Sequence, residues 1–227
     1  MLKTRAKSTH GCPPTRHSPD SCDEADSLAG RALGINRKLL GERHPTLALN
    51  LNTLGVLRQR RGDLAEAERL LRDAMERYRE RYGPDHASTA AVGSRLAGVL
   101  RERGALAAAE ELFRESTEKL EAGLPATQLR LAPALIGFGL TLLDAGRPDA
   151  ARPVLERALS MLTGLLRDDD WRDAEARLAM RRCLSVLDLR DQGTALVRQA
   201  REALRPVRTA HPRLAREVDS MWAALKE

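Results

Sequence analysis

Apolar residues in the first half of the chain recur every three or four positions, break off, and resume. Leu51, Leu54 and Leu57 carry one such run, and after Gly62 a second is carried by Ala67, Leu70, Leu71, Ala74, Met75 and Tyr78. Each run has the period of an amphipathic helix, and the glycine between them predicts helix, turn, helix. The pattern then returns in register. Gly62, Gly104 and Gly146 stand 42 residues apart, as do Leu54, Leu96 and Phe138, then Ala67, Ala109 and Ala151, then Leu70, Leu112 and Val154. A repeat of helical hairpins cannot bury its apolar face alone and must stack, so the expected fold is all-α, a right-handed solenoid of antiparallel helical hairpins.

The columns have physical reasons. A helix ending at Arg61 closes with the next residue left-handed, a conformation that costs glycine little, so these glycines read as turn residues and not as a phosphate loop. Ala67, Ala109 and Ala151 read as close-contact positions where the second helix of a pair approaches the first. GERHPTLA, from Gly41 to Ala48, and GPDHASTA, from Gly83 to Ala90, mark helix breaks, while the third linker, Gly123 to Thr127, is degenerate. His44 and His86 recur in register and read as linker residues.

Extended in both directions, the register divides the chain. Residues 1–22, with Pro13, Pro14 and Pro19, are expected to be disordered. Residues 23–40 place Ala25, Leu28 and Ala32 in the columns of Ala67, Leu70 and Ala74, and should form a second-type helix from about Glu24 without its first-type partner. Three full repeats follow at 41–82, 83–124 and 125–167. A decayed fourth at 168–208 puts Met180, Leu184, Leu196 and Ala200 in register, its first helix starting near Trp171 behind the carboxylates of Asp168, Asp169 and Asp170. Residues 209–227, where AHPRLAREVDS echoes HPTLALN, should form a capping helix.

Composition narrows the chemistry. Aromatics are 3% of 227 residues and the palette is Leu, Ala, Arg and Glu, which disfavours a large sheet. The net charge of +6 could draw an anionic partner, but no basic helix or aromatic stacking surface accompanies it, so nucleic acid is not the expected partner. No run approaches the ~18 apolar residues of a membrane span, and three cysteines fit a reduced compartment, so a cytoplasmic protein is expected. His10, Cys12, His17 and Cys22 match no tight zinc spacing. The aspartate triplet reads as helix capping, Cys183 as inert core, and Trp171 and Trp222 as packing anchors. Neither metal nor cofactor is expected.

Leu51, Leu54, Gly55, Gly62, Ala67, Leu71 and Ala74 resemble the small and apolar positions of a tetratricopeptide repeat. The 42-residue unit, its GxxHP linker and an Asn on the first helix resemble the kinesin light chain type, and similar arrays occur in bacteria. The resemblance covers about residues 24–208. It implies that first helices line a concave groove for an extended peptide or partner helix. By that resemblance the groove takes Leu49, Asn52, Thr53, Val56, Gln59 and Arg60 from the first unit. The second supplies Ala91, Ser94, Arg95, Gly98, Arg101 and Glu102, and the third, more apolar, supplies Ile136, Gly137, Leu140 and Leu143. The family's adjacent pair of Asn is reduced to Asn52 beside Thr53. The expected function is therefore a protein-interaction scaffold without catalysis of its own, whose partner is acidic toward the first two units and apolar toward the third. The alternative is a detached regulatory part of a larger signalling enzyme such as a serine/threonine protein kinase.

Overall fold

The computed structural model describes residues 19–41, 44–123, 128–165, 171–209 and 211–224. Its elements are α1 (Pro19–Leu40), α2 (Pro45–Arg60), α3 (Leu64–Tyr82), α4 (Ala87–Glu102), α5 (Leu106–Glu121), α6 (Gln128–Asp144), α7 (Pro148–Leu165), α8 (Trp171–Val186), α9 (Arg190–Leu204) and α10 (Pro212–Ala223), with a 3-10 turn at Arg205–Val207. No strand occurs among the described residues. Four hairpins, α2 with α3 through α8 with α9, stack in order, so the solenoid is all-helical as the register requires.

The turns close as the glycine column demands. Gly62 N donates to Gln59 O at 2.9 Å and Asp63 N to Arg58 O at 3.0 Å, the two bonds of a Schellman cap, and the same pair recurs at Gly104 with Ala105 and at Gly146 with Arg147. The three glycines have φ of 82°, 83° and 73°. One period on, the column holds Asp188, which adopts φ 61° without a glycine while Leu189 N still reaches Leu184 O at 2.8 Å. The linker motif is equally local. Gly41 and Gly83, with φ of 79° and 93°, end second-type helices, and His44 and His86 cap the next first-type helices through Nδ1, accepting from Thr46 N at 3.3 Å and Ser88 N at 3.1 Å.

Within each hairpin a small residue faces a large one. A Cβ on Gly55 would stand 2.8 Å from Leu71 Cγ, and one on Gly139 would stand 2.5 Å from Leu155 Cδ2. In the fourth hairpin Arg181 holds the place of Gly55 and Gly139, and Gly193, in the column of Ala67, leaves room for it: a Cβ there would run into Arg181 Cδ. Ala67, Ala109 and Ala151 are fully buried beside these crossings. The core forms three apolar clusters from α1 to α10 that adjoin on shared helices, the first two on α4 and α5 and the last two on α8.

A column of acids joins α1, α3 and α5 to the hairpin that follows each. Asp26, buried, accepts from Arg58 Nη2 at 2.9 Å and Arg61 Nη1 at 3.0 Å, Glu68 pairs with Arg103, and Glu110 with Arg147. Asp26, Glu68 and Glu110 keep the repeat spacing, a regularity that the apolar columns alone do not disclose.

The second-type helix expected from about Glu24 begins at Pro19, since proline lacks only an N–H that the first turn leaves unbonded anyway. The face of α1 that would meet a first-type partner is open: Leu28 is 54% exposed where Leu70, in the same column, is 1% exposed. At the other end α10 leaves Arg213, Arg216, Glu217 and Ser220 exposed. Trp171 stacks on His211 at 4.7 Å, and Arg201 lies 5.3 Å from the Trp222 ring. Cys183 is buried, its thiol donating to Pro148 O at 3.3 Å. The expectations for residues 1–18, for 124–127 of the third linker and for Asp168, Asp169 and Asp170 lie outside the described residues.

Two substitutions test these local rules by urea or thermal unfolding. Asp188→Gly removes the penalty of a left-handed non-glycine and should stabilise by up to about 1 kcal/mol, whereas Gly62→Ala should destabilise by a similar amount. Ala109→Leu overpacks a fully closed site and should cost about 1–3 kcal/mol.

Candidate functional site

The first-type helices α4, α6 and α8 pack directly on one another, and α2 on α4, so they form one continuous inner face. The expected groove residues divide there into three groups. Leu49, at 53% exposed, together with Thr53, Arg60, Arg95 and Glu102, is open to solvent, and Val56, Gln59, Ser94, Gly98, Arg101, Gly137 and Leu140 are half-buried. Asn52, Ala91, Leu143 and Ile136 are buried. Ile136, 2% exposed, belongs to the core and not to the accessible surface, and the groove position falls to Leu140 one turn on. Neighbouring columns on a helix differ by about 100°, and the inner face is narrow, so a shift of one residue moves a side chain from surface to core. Gly137 likewise serves packing: a Cβ there would stand 2.5 Å from Phe113 Cζ.

Several polar groove residues are tied to one another across repeats. Arg95 Nη1 donates to Asn52 Oδ1 at 3.0 Å and Gln59 Nε2 to Glu102 Oε1 at 2.8 Å. Asp144 receives Arg101 Nη1 at 2.8 Å and Arg182 Nη2 at 2.7 Å, which joins α4, α6 and α8 through one carboxylate. Burial alone would raise the Asp144 pKa, but the hydrogen bonds from Arg182 and Arg101 outweigh it and hold the carboxyl below its usual value. Thr53 and Ser94 turn their hydroxyls to their own helices, donating to Leu49 O and Ala91 O, both at 2.9 Å. Asn52, the residue expected to hold a peptide backbone, thus spends its carbonyl oxygen on Arg95.

Besides exposed Arg60, the pair Arg95 and Arg130 and the carboxylate of Glu175 have no ion pair on this face among the described residues. Arg95 and Arg130 lie close enough to repel, and neither has a carboxylate partner among the described residues; Arg130 Nη1 meets only Ser88 Oγ, at 3.4 Å. Burial and then the charge of Arg130 lower the pKa of Arg95, opposed by Tyr78. Tyr78 stacks on Tyr82 at 5.8 Å and Tyr82 on His86 at 4.7 Å, forming an aromatic wall beside the pair. Farther along, Glu175 of α8 occupies the column of Leu49 and Ala91, is half-buried, and has no hydrogen bond or ion pair among the described residues. Burial and the neighbouring Glu217 of α10 raise its pKa, while Arg213 and Arg101 act against them. The sequence reading passed over Arg130, Asp144, Glu175 and Arg182. Each stands 35 or more residues from its partner or neighbour, a distance at which helical periodicity is silent. Among the described residues no three His, Cys, Asp or Glu side chains are set to hold a metal, and no helix is long and apolar enough to cross a membrane.

Stacked helical hairpins with a continuous inner face and tied inter-repeat polar groups define a repeat scaffold. The sequence matches the model of the tetratricopeptide repeat over residues 20–80 and 46–122, so this part of the chain is similar to tetratricopeptide repeats, which points to a protein-interaction scaffold. Among solved structures the fold is similar to kinesin light chain-like repeat proteins. A variant of a Podosopora anserina protein, described as a kinesin light chain with nearly identical TPR-like repeats, superposes with a TM-score of 0.65 at 19% identity, covering 82% of this chain and 88% of that one. BtubC (BKLC) from P. vanneervenii gives 0.66 at 18% identity, covering 82% and 74%. At these identities the likeness is one of fold. No curated protein matches the sequence.

The Asp144 junction has a pH signature. Its folded pKa lies below the unfolded one, so its contribution is present above the usual carboxylate range and is lost as pH falls through the folded value. Asp144→Asn should cost about 1 kcal/mol at neutral pH. The urea midpoints of variant and wild type should converge once the carboxylate is protonated.

Proposed function

We propose that the inner face of α2, α4 and α6 receives an extended acidic segment of a protein partner. The observation that carries this reading is the pair Arg95 and Arg130: two neighbouring guanidiniums, one bonded to an amide oxygen and the other to a hydroxyl, on a face where Arg101 and Arg182 are paired with Asp144. A guanidinium presents a rigid fork that fits a carboxylate, and bringing one between two like charges relieves their repulsion. Asn52 then acts as a brace that holds Arg95 in place rather than as the clamp on the peptide backbone. Exposed Leu49 and the half-buried Val56 and Leu140 supply apolar contact along the same face. This combination suits an acidic segment with aliphatic anchors, held in the manner of an extended peptide.

A peptide array of acidic, neutral and basic sequences carrying leucine at varied positions tests the reading. Acidic members should be preferred, their binding should weaken with added salt, and Arg95→Glu with Arg130→Glu should reduce it at least tenfold, about 1.4 kcal/mol, in a protein whose circular dichroism is unchanged. Equal binding of acidic and neutral peptides would sink it.

A further inference from the structure

The uncompensated charges on the inner face are of opposite sign at its two ends. Arg95 and Arg130 stand on α4 and α6, whereas Glu175 and Glu217 stand on α8 and α10 in equivalent positions one repeat apart. Leu140 of α6 lies between the two ends in chain order. The intervening charges are already balanced, because Asp144 holds Arg101 and Arg182. Glu175 differs from those carboxylates in having no bonded partner among the described residues, although it is half-buried and Arg213 and Arg101 are near enough to influence it. A carboxylate withdrawn from water without a donor is costly to its own fold, and a cation brought to it removes that cost.

We infer that the groove takes a dipolar segment: an acidic residue on Arg95 and Arg130, an aliphatic residue near Leu140, and a Lys or Arg on Glu175 and Glu217. This rests on the groove reading above and adds the second charge and its distance from the first. Neighbouring packed helices lie about 8–10 Å apart, and α4, α6 and α8 pack in succession, so the two helix spacings from Arg95 on α4 to Glu175 on α8 amount to roughly 16–20 Å. An extended chain advances about 3.3 Å per residue, which places the acidic and basic residues roughly five or six positions apart. A segment with acid at both ends would bring its second carboxylate against Glu175 and Glu217, and like charges set together at an interface discriminate strongly against the wrong partner.

Three synthetic peptides of one length decide the matter by fluorescence anisotropy. Each carries Glu, a central Leu and, six positions after the Glu, an Arg, a Gln or a second Glu. The peptide with Arg should bind at least tenfold tighter than the peptide with two Glu, the one with Gln falling between. Glu217→Arg alters only an exposed side chain, and combined with Glu175→Gln it should reverse that order, favouring the peptide with two Glu. A merely structural role for Glu175 would change stability without exchanging the preferences. If all three peptides bind wild type equally and all are lost in the variant with Arg95→Glu and Arg130→Glu, the dipolar inference is overturned while the acidic groove stands. If none binds wild type, both fall.

Discussion

The crossing of the two helices within each hairpin governs everything stacked upon it. Gly55 against Leu71 and Gly139 against Leu155 let the backbones approach until no room remains for a methyl group. That distance fixes the angle at which a hairpin presents its second helix to the next repeat, and the angle accumulates along the solenoid into the curvature of the inner face. The fourth hairpin departs from this pairing, and a neighbouring column accommodates the change. Arg181 is far too large for the glycine's place on the first helix, yet Gly193 opposite makes way for it, and the stack continues into α9 and α10.

Two sets of polar contacts then hold the repeats in phase. On one side Asp26, Glu68 and Glu110 hold arginines of the succeeding hairpin, and on the inner face Asn52 with Arg95, Gln59 with Glu102, and Asp144 with Arg101 and Arg182 link first-type helices directly. Surface ion pairs contribute little singly. Their larger effect here is geometric, because a groove whose side chains are already bonded to one another changes little on receiving a ligand and presents few free donors and acceptors. Selectivity therefore concentrates on the few charges left over.

The helical period and the repeat length made the architecture legible from the sequence: the turn glycines, the alanine columns, the His linkers and the decayed fourth unit all follow from contacts a few residues apart. Two finer features did not follow. Ile136 sits one column inside the accessible surface, a difference of about 100° that an apolar pattern cannot resolve when both neighbours are apolar. The inter-repeat polar links join residues such as Arg95 and Asn52 whose separation slightly exceeds one repeat, so their meeting depends on how successive hairpins rotate, which no single hairpin encodes. Pro133 and Pro153 lie inside α6 and α7, where local rules place breaks, and are tolerated because packing on neighbouring helices outweighs one lost hydrogen bond.

A repeat protein supplies its own reference, because each column shows the side chain that ordinary packing favours at that place. Asp188 departs from the glycine column and Arg181 from the small column, yet the first keeps the cap hydrogen bond and the second is matched by Gly193; both departures are resolved inside the chain. Arg95 departs from the column of Thr53, Arg130 from that of Ser88, and Glu175 from that of Leu49 and Ala91, and none of these charges meets an opposite one among the described residues. Like-charge proximity at the first pair and burial of the carboxylate at the third carry a free-energy penalty, which Arg213 and Arg101 lessen for Glu175 without an ion pair. The packing irregularities are resolved inside the chain, whereas these charges have no ion pair within it, and the proposed binding of a charged segment rests on that difference.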